Sequence, residues 1–585
     1  MYRFRYGAPG FSVLIRDQVN VTLGFAAILD VKLVPASQQQ TVTVTGEVPL
    51  VDTLDSTVQA GFDKQQLDSI PNGRDMWSVI AVTPGMVSTT IDVGGSNVDN
   101  QSAHSAYGYG LGPNAQNRVQ VDGVNTTEGS GSAGFYYDYG SFAAFTMKTA
   151  ANDASMPVPG NQINAVIKTG SNQFHGDAYY DYENPNFQGT NISQAQVLQG
   201  AGIGTRITQY KDINGDLGGP IIHDRLWFFL SLRDQETGHS ITGFPVESPG
   251  SIPYLSKDGN ITYKFSYEIN KNHRLSTYAQ WGEVKKPQRN AASNYYADAV
   301  YTQFAASWAG NIEYTGTLTP RLFIDARVGT FGYNFPMVPY PGADGKITPL
   351  RTETATGNIE GGFANARTNR RRWQAEPTGS YFVDDFLHAN HQLMFGWLSE
   401  REMTVAENYG PLNEAAQIYN SPAGAADFTT PYQIKLYNSP SIAKDLLWHH
   451  GAYLQDQIRI GKRLTVNLGA RLDYYRNFEP DQPVRTDASF YPFFYQGAKL
   501  PNGYSIPPTY PNLNVPGRQT ILRYPALAVP RVGMAWDLTG SGKTVLKLSW
   551  GRFYSSPGNF IASGTNSRPT DHLHVPVEQP QQSAL

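Results

Sequence analysis

RLTVNLGARLDY, residues 463–474, decides the fold. Leu464, Val466, Leu468, Ala470, Leu472 and Tyr474 fall on one face, and Arg463, Thr465, Asn467, Gly469, Arg471 and Asp473 on the other. An unbroken two-residue period is the mark of a strand with one apolar and one polar side. The period recurs on either side of this stretch. Ile261, Tyr263, Phe265, Tyr267 and Ile269 alternate with Thr262, Lys264, Ser266, Glu268 and Asn270. Leu322, Ile324, Ala326 and Val328 alternate with Asp325 and Arg327, with Phe323 on the polar side. Val532, Met534, Trp536 and Leu538 face away from Arg531, Gly533 and Asp537, and Leu546, Leu548 and Trp550 face away from Lys547 and Ser549.

The connections alternate as well. Tight links fall at 270–273, 319–320, 388–390, 460–462 and 540–542, and long polar links between them at about 185–208, 234–259, 283–303, 333–372, 403–448 and 477–527. Long loops are uncommon in compact domains. Here they occupy every second connection, which is the layout of an outer-membrane barrel with short turns on one side and long loops on the other. Segments of roughly ten residues suit a tilted strand, which needs about 9–11 residues to cross a bilayer. Tyr474, Tyr475, Phe553, Tyr554 and Trp227 lie near strand ends, where an interfacial girdle is expected. A soluble β-propeller or sandwich would show regular short links and a blade-like repeat.

Composition narrows the function. The 585 residues carry 16% charged and 12% aromatic side chains, with a net charge of -4. A generally basic nucleic-acid binder is excluded, and no nucleic-acid partner is expected. Cys is absent, so disulfides, thiol catalysis and Cys-ligated metal are excluded. No apolar run is long enough for a transmembrane helix. Mean hydropathy is -0.39, a value that an alternating barrel shares with a soluble protein. The opening residues MYRFRYGAPGFSVLIRD do not read as a signal peptide.

Several further motifs resemble TonB-dependent outer-membrane receptors, of the Oar-like type with an N-terminal carboxypeptidase regulatory-like module. They are QTVTVTGEVPLVDT (40–53), IPNGRDMWSVIAVTPGM (70–86), NRVQVDGVNTT (117–127), GNQINAVIKTGSNQFHGDAYYDYEN (160–184), LGGPIIHDRLWFFLSL (217–232) and PRVGMAWDLTGSGKTVLKLSWGRFY (530–554). The resemblance implies a mostly β protein in three parts. Residues 1–37 would be the remnant of the β-sandwich module, 38–172 a TonB box and plug, and 173–585 a partial transmembrane antiparallel β-barrel. About thirteen strands are countable, against about 22 in the family and even counts in single-chain barrels. The chain is therefore expected to be a fragment of a longer receptor, with a polar tail after Tyr554.

The resemblance also implies a role for particular residues. Gln40, Thr41, Val42, Thr43, Val44 and Thr45 are the candidate TonB box, a Thr/Val segment suited to strand addition. A linker strand docked on the first module is the other reading. Asn72, Gly73, Arg74, Asp75, Asp122 and Gly123 are plug-motif candidates, with Gly123 and Gly170 read as turn glycines. Tyr107, Tyr109, Phe135, Tyr136, Tyr137 and Tyr139 are candidates for stacking on a ligand, or else aromatics that pack a turn. The implied partners are the TonB–ExbB–ExbD complex, outer-membrane lipid and lipopolysaccharide, and a ligand that is a glycan, peptide or metal chelate.

No enzyme motif stands out: G-x-S-x-G, H-E-x-x-H, Walker A and EF-hand patterns are absent. His449, His450, His572 and His574 read as exposed histidines rather than a metal site, and no cofactor is expected. The run TNRRRW (368–373) reads as a solvated rim or a lipopolysaccharide contact. Active uptake across the bacterial outer membrane is the expected function. Surface adhesion or signalling on the same fold, and soluble carbohydrate binding, are the alternatives.

Overall fold

The computed structural model describes residues 2–9, 11, 13–19, 42–43, 56–70, 74–88, 104–106, 116–129, 134–201, 204–341, 345–362, 365–437, 439, 441–481, 490, 498–499, 505–506, 519–540, 542–558 and 572–576. Three short strands come first: β1 (Tyr2–Tyr6), β2 (Leu14–Val19) and β3 (Val42–Thr43). They form one sheet, with β3 parallel to β2. Next come β4 (Val58–Asp63), α1 (Lys64–Ser69), α2 (Met76–Ala81), β5 (Met86–Ser88), β6 (His104–Ala106), β7 (Arg118–Val121), β8 (Val124–Asn125), β9 (Phe142–Ala150) and β10 (Gln162–Ile167). Asp63 caps α1 through a capping box with Gln66, and the Asp75 carboxylate caps α2 by accepting from the Ser78 amide. Five of these strands form a separate sheet, in the order β4-β9-β10-β7-β8, called the plug below for its place against the inner face of the large sheet.

The rest of the chain builds a wall. Its strands are β11 (Ala178–Glu183), β12 (Ile207–Ile222), β13 (Leu226–His239), β14 (Tyr254–Asn270), β15 (His273–Arg289), β16 (Tyr301–Thr319) and β17 (Leu322–Pro339). After β18 (Arg351–Glu353) and β19 (Ile359–Glu360) it resumes with β20 (Ala366–Phe386) and β21 (Ala389–Asn408). β22 (Ala415–Tyr419) and β23 (Pro431–Tyr437) precede β24 (Ser441–Ile460) and β25 (Leu464–Glu479). The short pair β26 (Ala498–Lys499) and β27 (Ser505–Ile506) is followed by β28 (Gln519–Asp537), β29 (Val545–Gly551) and β30 (His572–Pro576). Thirteen of these strands join in one antiparallel sheet, β11-β12-β13-β14-β15-β16-β17-β20-β21-β24-β25-β28-β29.

The alternation resolves as an inside-out arrangement. On β25, Leu468 and Leu472 point outward and are 44% and 45% exposed, while Thr465, Asn467, Arg471 and Asp473 point inward and are buried. Leu230, Leu232, Ile261, Trp281, Leu454, Val532 and Leu548 repeat the outward pattern, and Ser231, Arg233, Asn260, Thr262, Gln280 and Gln455 the inward one. An apolar outer band around a polar interior is what a membrane-spanning wall requires. Replacing Leu468 with arginine puts a charge on the lipid face near the middle of the band. The expected cost is about 2–4 kcal/mol, against about 0–1 kcal/mol for the same change at Leu464 near the turn. Urea titration of the vesicle-inserted protein measures both, and equal costs would contradict a lipid-facing row.

All five tight links lie where the sequence puts them, but apart from β11 and β29 the wall strands are longer than ten residues. β20 and β24 run for 21 and 20 residues, so pairing continues well into the segments expected to be loops. Beyond the bilayer both faces are polar, the alternation fades, and the hydrogen-bond ladder persists without it. Three of the expected long loops also carry strands of their own, β18–β19, β22–β23 and β26–β27. β19, β18, β22, β23 and β30 pair in that order as a separate five-stranded sheet, which takes in part of the expected polar tail. Glu353 sits buried inside it, accepting from the Ser421 hydroxyl at 2.5 Å and the Ser421 amide at 3.1 Å. Burial raises this carboxyl, but the hydrogen bonds outweigh it and hold the group below the ordinary glutamate range.

Candidate functional site

Every strand of the wall touches the plug. At one end, the Arg74 guanidinium lies 3.6 Å from the ring centre of Tyr179 on β11 and 3.4 Å from Asp212 on β12. Arg233 on β13 donates to the carbonyls of Tyr137 and Arg74, both at 3.1 Å. Lys264 (β14), Tyr278 (β15) and Asn311 (β16) reach Asp122 and Val121 at 2.6–2.9 Å. Phe331 (β17) meets Phe135 edge-on at 6.2 Å. Arg372 (β20) and Glu400 (β21) hold Asn125, each at 3.0 Å. Gln455 (β24) accepts from the Ala154 amide at 2.9 Å, and Asn467 (β25) donates to Ser56 at 3.3 Å. Gly533 (β28) lies close against Ser56, and Lys547 (β29) donates to the Thr57 carbonyl at 3.1 Å. One small sheet and the loops around it, in contact with all thirteen strands, mean that the wall curls around them.

The Asp122–Gly123 turn is the centre of this seam. Both residues have positive φ, 42° and 79°, as a two-residue hairpin turn between β7 and β8 demands. The Asp122 carboxylate accepts from Lys264 at 2.6 Å and from the Ile167 amide at 3.0 Å. The Gly123 carbonyl accepts from Gln374 at 2.9 Å, and Gln374 in turn accepts from the Asn125 amide at 2.8 Å. A Cβ on Gly123 would lie 1.7 Å from the Arg327 guanidinium, so glycine here serves both the turn and the close approach.

Beyond the turn lies a buried ion-pair chain. Arg118 of the plug pairs with Glu400 at 3.1 Å. Glu400 also meets His449 at 3.2 Å, and His449 meets Asp473 at 2.8 Å. The His449 ring stacks on Tyr475 with centroids 4.1 Å apart. Glu128 of the plug pairs with Arg370 at 2.8 Å, and Glu402 bridges Arg370 and Arg372. Burial pulls the Arg118 guanidinium down, but the facing Glu400 and Glu376 carboxylates outweigh it and leave it above the ordinary arginine value. The cavity among these groups holds about 70 Å³, room for a few waters and far short of the roughly 300–1,000 Å³ of small-molecule sites. Among the described residues no cluster of His, Asp and Glu is arranged to hold a metal ion.

The candidate residues from the sequence divide three ways. Arg74, Asp75, Asp122 and Gly123 lie in the plug, with Arg74, Asp122 and Gly123 on the seam and Asp75 serving as a helix cap. Phe135, Tyr136, Tyr137 and Tyr139 are all less than 10% exposed. Phe135, Tyr137 and Tyr139 belong to the central apolar cluster, and Tyr136 packs on Val284 and Ala305. They fill the junction between plug and wall instead of an open loop. Val42 and Thr43 form the edge strand β3. Gln40, Thr41, Val44, Thr45, Asn72, Gly73, Tyr107 and Tyr109 lie outside the described residues.

Two expectations are corrected. His449 is buried among charges and not exposed, because an inward position on β24 faces the plug. The TNRRRW run is neither a rim nor a lipopolysaccharide contact as a whole. Arg370 and Arg372 point inward to Glu128 and Glu402, and Arg371 is the outward member. Glu400, Glu402, Gln374 and Arg233 were not singled out in the sequence. Their signal is the polar row of an otherwise lipid-facing strand, where a charge has no reason to be unless something polar fills the bore.

Comparison with known proteins agrees with this architecture. The family model of the outer membrane beta barrel domain matches residues 166–249 and 250–583. The TonB-dependent transporter Oar of Myxococcus xanthus is 25% identical over 321 residues, covering 47% of this chain and 28% of that protein. The outer membrane transporter YddB from Escherichia coli superposes with a TM-score of 0.61 at 14% identity, over 86% of this chain and 62% of that one. The ferric citrate transporter FecA, unliganded, superposes at 0.57 and 13% identity, over 88% of this chain and 66% of that one. The chain thus spans about a quarter of Oar and under two thirds of YddB. With more than two thirds of its residues matched and its apolar rows turned to lipid, the chain belongs to the outer-membrane β-barrel domain family of the bacterial outer membrane.

Proposed function

We propose that this chain is the plug and part of the barrel of a TonB-dependent receptor that imports a bulky nutrient. Residues 1–37 would be the module remnant, 38–172 the box and plug, and 173–585 the wall. The carrying observation is the seam itself: along β20–β29 the plug is held in a membrane wall largely through ion pairs and hydrogen bonds to its backbone. Such contacts exchange for water at small net cost, unlike a continuous apolar core. A plug held this way blocks the bore at rest and yields to a directed pull. The pull would come from the TonB–ExbB–ExbD complex, in keeping with the name of the relative Oar, a TonB-dependent transporter. The reaction is translocation, with no chemistry on the cargo.

Uptake of the cargo by cells that make the whole receptor tests this reading. Accumulation in the periplasm should stop when a protonophore collapses the inner-membrane gradient, while surface binding continues. Binding without any accumulation in energised cells would instead support an adhesion or signalling role. The five-stranded sheet built from the long loops is the observation that favours that second reading, since it offers a broad outer platform.

A further inference from the structure

The geometry points to a carboxylate-binding site at Arg531, in the seam between the plug and strands β24, β25 and β28. Arg531 is 4% exposed, yet its Nε and Nη2 have no hydrogen-bond partner. Its Nη1 donates to the adjacent Pro530 carbonyl at 3.3 Å. Nε–H and the outer Nη2–H lie on one edge of the guanidinium, and that edge is the fork that grips a carboxylate through two parallel bonds. The guanidinium lies 3.4 Å over the centre of the Phe553 ring, which fixes its plane. A cavity of about 260 Å³ adjoins it, with Gln455 and Asn467 in the wall.

The charge balance supports the same ligand. Neighbouring Arg471 is matched by Asp473 at 2.8 Å, and Lys148 lies 3.8 Å from Asp153. Among the described residues Arg531 has no carboxylate within ion-pair distance, so it is the local surplus of positive charge. Asp473 and Asp153 attract it only from beyond ion-pair distance, and a buried cation with no directly paired counter-charge is costly. Asp153 lines the same cavity and repels a dianion, which favours a monocarboxylate over doubly charged phosphate. The cavity is just below the size of ordinary ligand sites, so it admits a small carboxylic acid or the acidic end of a larger molecule. The site stands on equilibrium geometry and does not depend on transport.

Calorimetric titration of the full chain in detergent, at low ionic strength, tests the site with propionate, inorganic phosphate and chloride as probes. Propionate should bind above the chloride background. Arg531→Lys keeps the charge but loses the fork, and should weaken binding about tenfold; Arg531→Gln should abolish it. Unchanged propionate binding in folded R531K, or propionate indistinguishable from chloride, would overturn the site. Phosphate binding tighter than propionate would overturn the carboxylate assignment. A second readout needs no variant: in the ¹⁵N-labelled wild-type chain, one arginine Nε–H signal should move on propionate addition. The absence of any such movement would likewise reject the proposal.

Discussion

Deleting residues 40–46 from the whole receptor will abolish uptake and leave surface binding of the cargo unchanged. The deleted segment contains β3, whose Val42 and Thr43 pair in parallel with Leu14 and Ile15. β3 lies at the end of the order β1-β2-β3, so its other side presents main-chain donors and acceptors to an incoming strand. A partner that adds a strand grips through backbone hydrogen bonds, and Thr/Val sequences favour the extended form it needs. Several such bonds loaded together resist a pull along the strand. The pull then reaches the plug through the chain that enters β4, which is itself the edge strand of the plug sheet. On the proposed reading the segment is a grip for the partner and not a contact for the cargo, so cargo affinity should not change. The comparison to make is labelled-cargo accumulation against labelled-cargo binding on the same cells. Undiminished accumulation would mean that the segment is only a docked linker strand.

Arg233→Ala will destabilise the seating of the plug by about 3–5 kcal/mol, the range for breaking one side of a buried pair. Arg233 holds the Asp212 carboxylate by two bonds, 2.9 Å and 2.8 Å, and both side chains are nearly inaccessible. Its other N–H groups reach the plug carbonyls of Tyr137 and Arg74. Removing it leaves Asp212 buried with Arg74 as its remaining cation, at 3.4 Å. Asp138 lies in the same region of the plug and accepts from Thr262 at 2.9 Å. Burial already pushes its carboxyl above the ordinary aspartate range, against the pull of Arg233. With Arg233 gone that opposition disappears. Limited proteolysis should then cut the plug at lower urea than in the parent. Arg233→Lys should recover only part of the loss, because a single ammonium cannot reproduce the two-pronged bond. A loss below about 1 kcal/mol would place this pair among ordinary surface ion pairs.

Much of the wall was legible because lipid and plug make opposite demands on successive residues. Leu468 and Arg471 belong to the two rows into which RLTVNLGARLDY was divided, and the structure keeps them on opposite faces. The upper strands were less legible because water lies on both sides there. Arg367 and Arg371 face outward beside inward Arg370 and Arg372, and four arginines show no alternation to read. The seam was illegible for a different reason. Asn125 meets Gln374 across 249 positions, and Arg471 meets Ala154 across 317. Local periodicity says that Gln374 and Arg471 face inward, but not what they face. The aromatics Phe135, Tyr136, Tyr137 and Tyr139 show the same limit. Tyr137 packs edge-on against Trp77 and Phe135, and nothing in their order distinguishes such packing from a ligand platform.

The seam is not the same all the way round. Toward β13–β17 the plug cluster merges with Phe229, Tyr278, Ala309, Phe331 and Tyr333 of the wall, whereas toward β20–β28 the contacts are ionic or amide. Under tension the two sides respond on different terms. Water can replace the ionic contacts one at a time, each with little net loss, but it offers nothing in exchange for an aromatic face. If the plug is pulled as proposed, the greasy side would serve as the hinge, with the Arg233 and Lys264 contacts beside it, and the charged side as the door jamb. A passage for cargo would open first beside Glu400, Gln455 and Arg471.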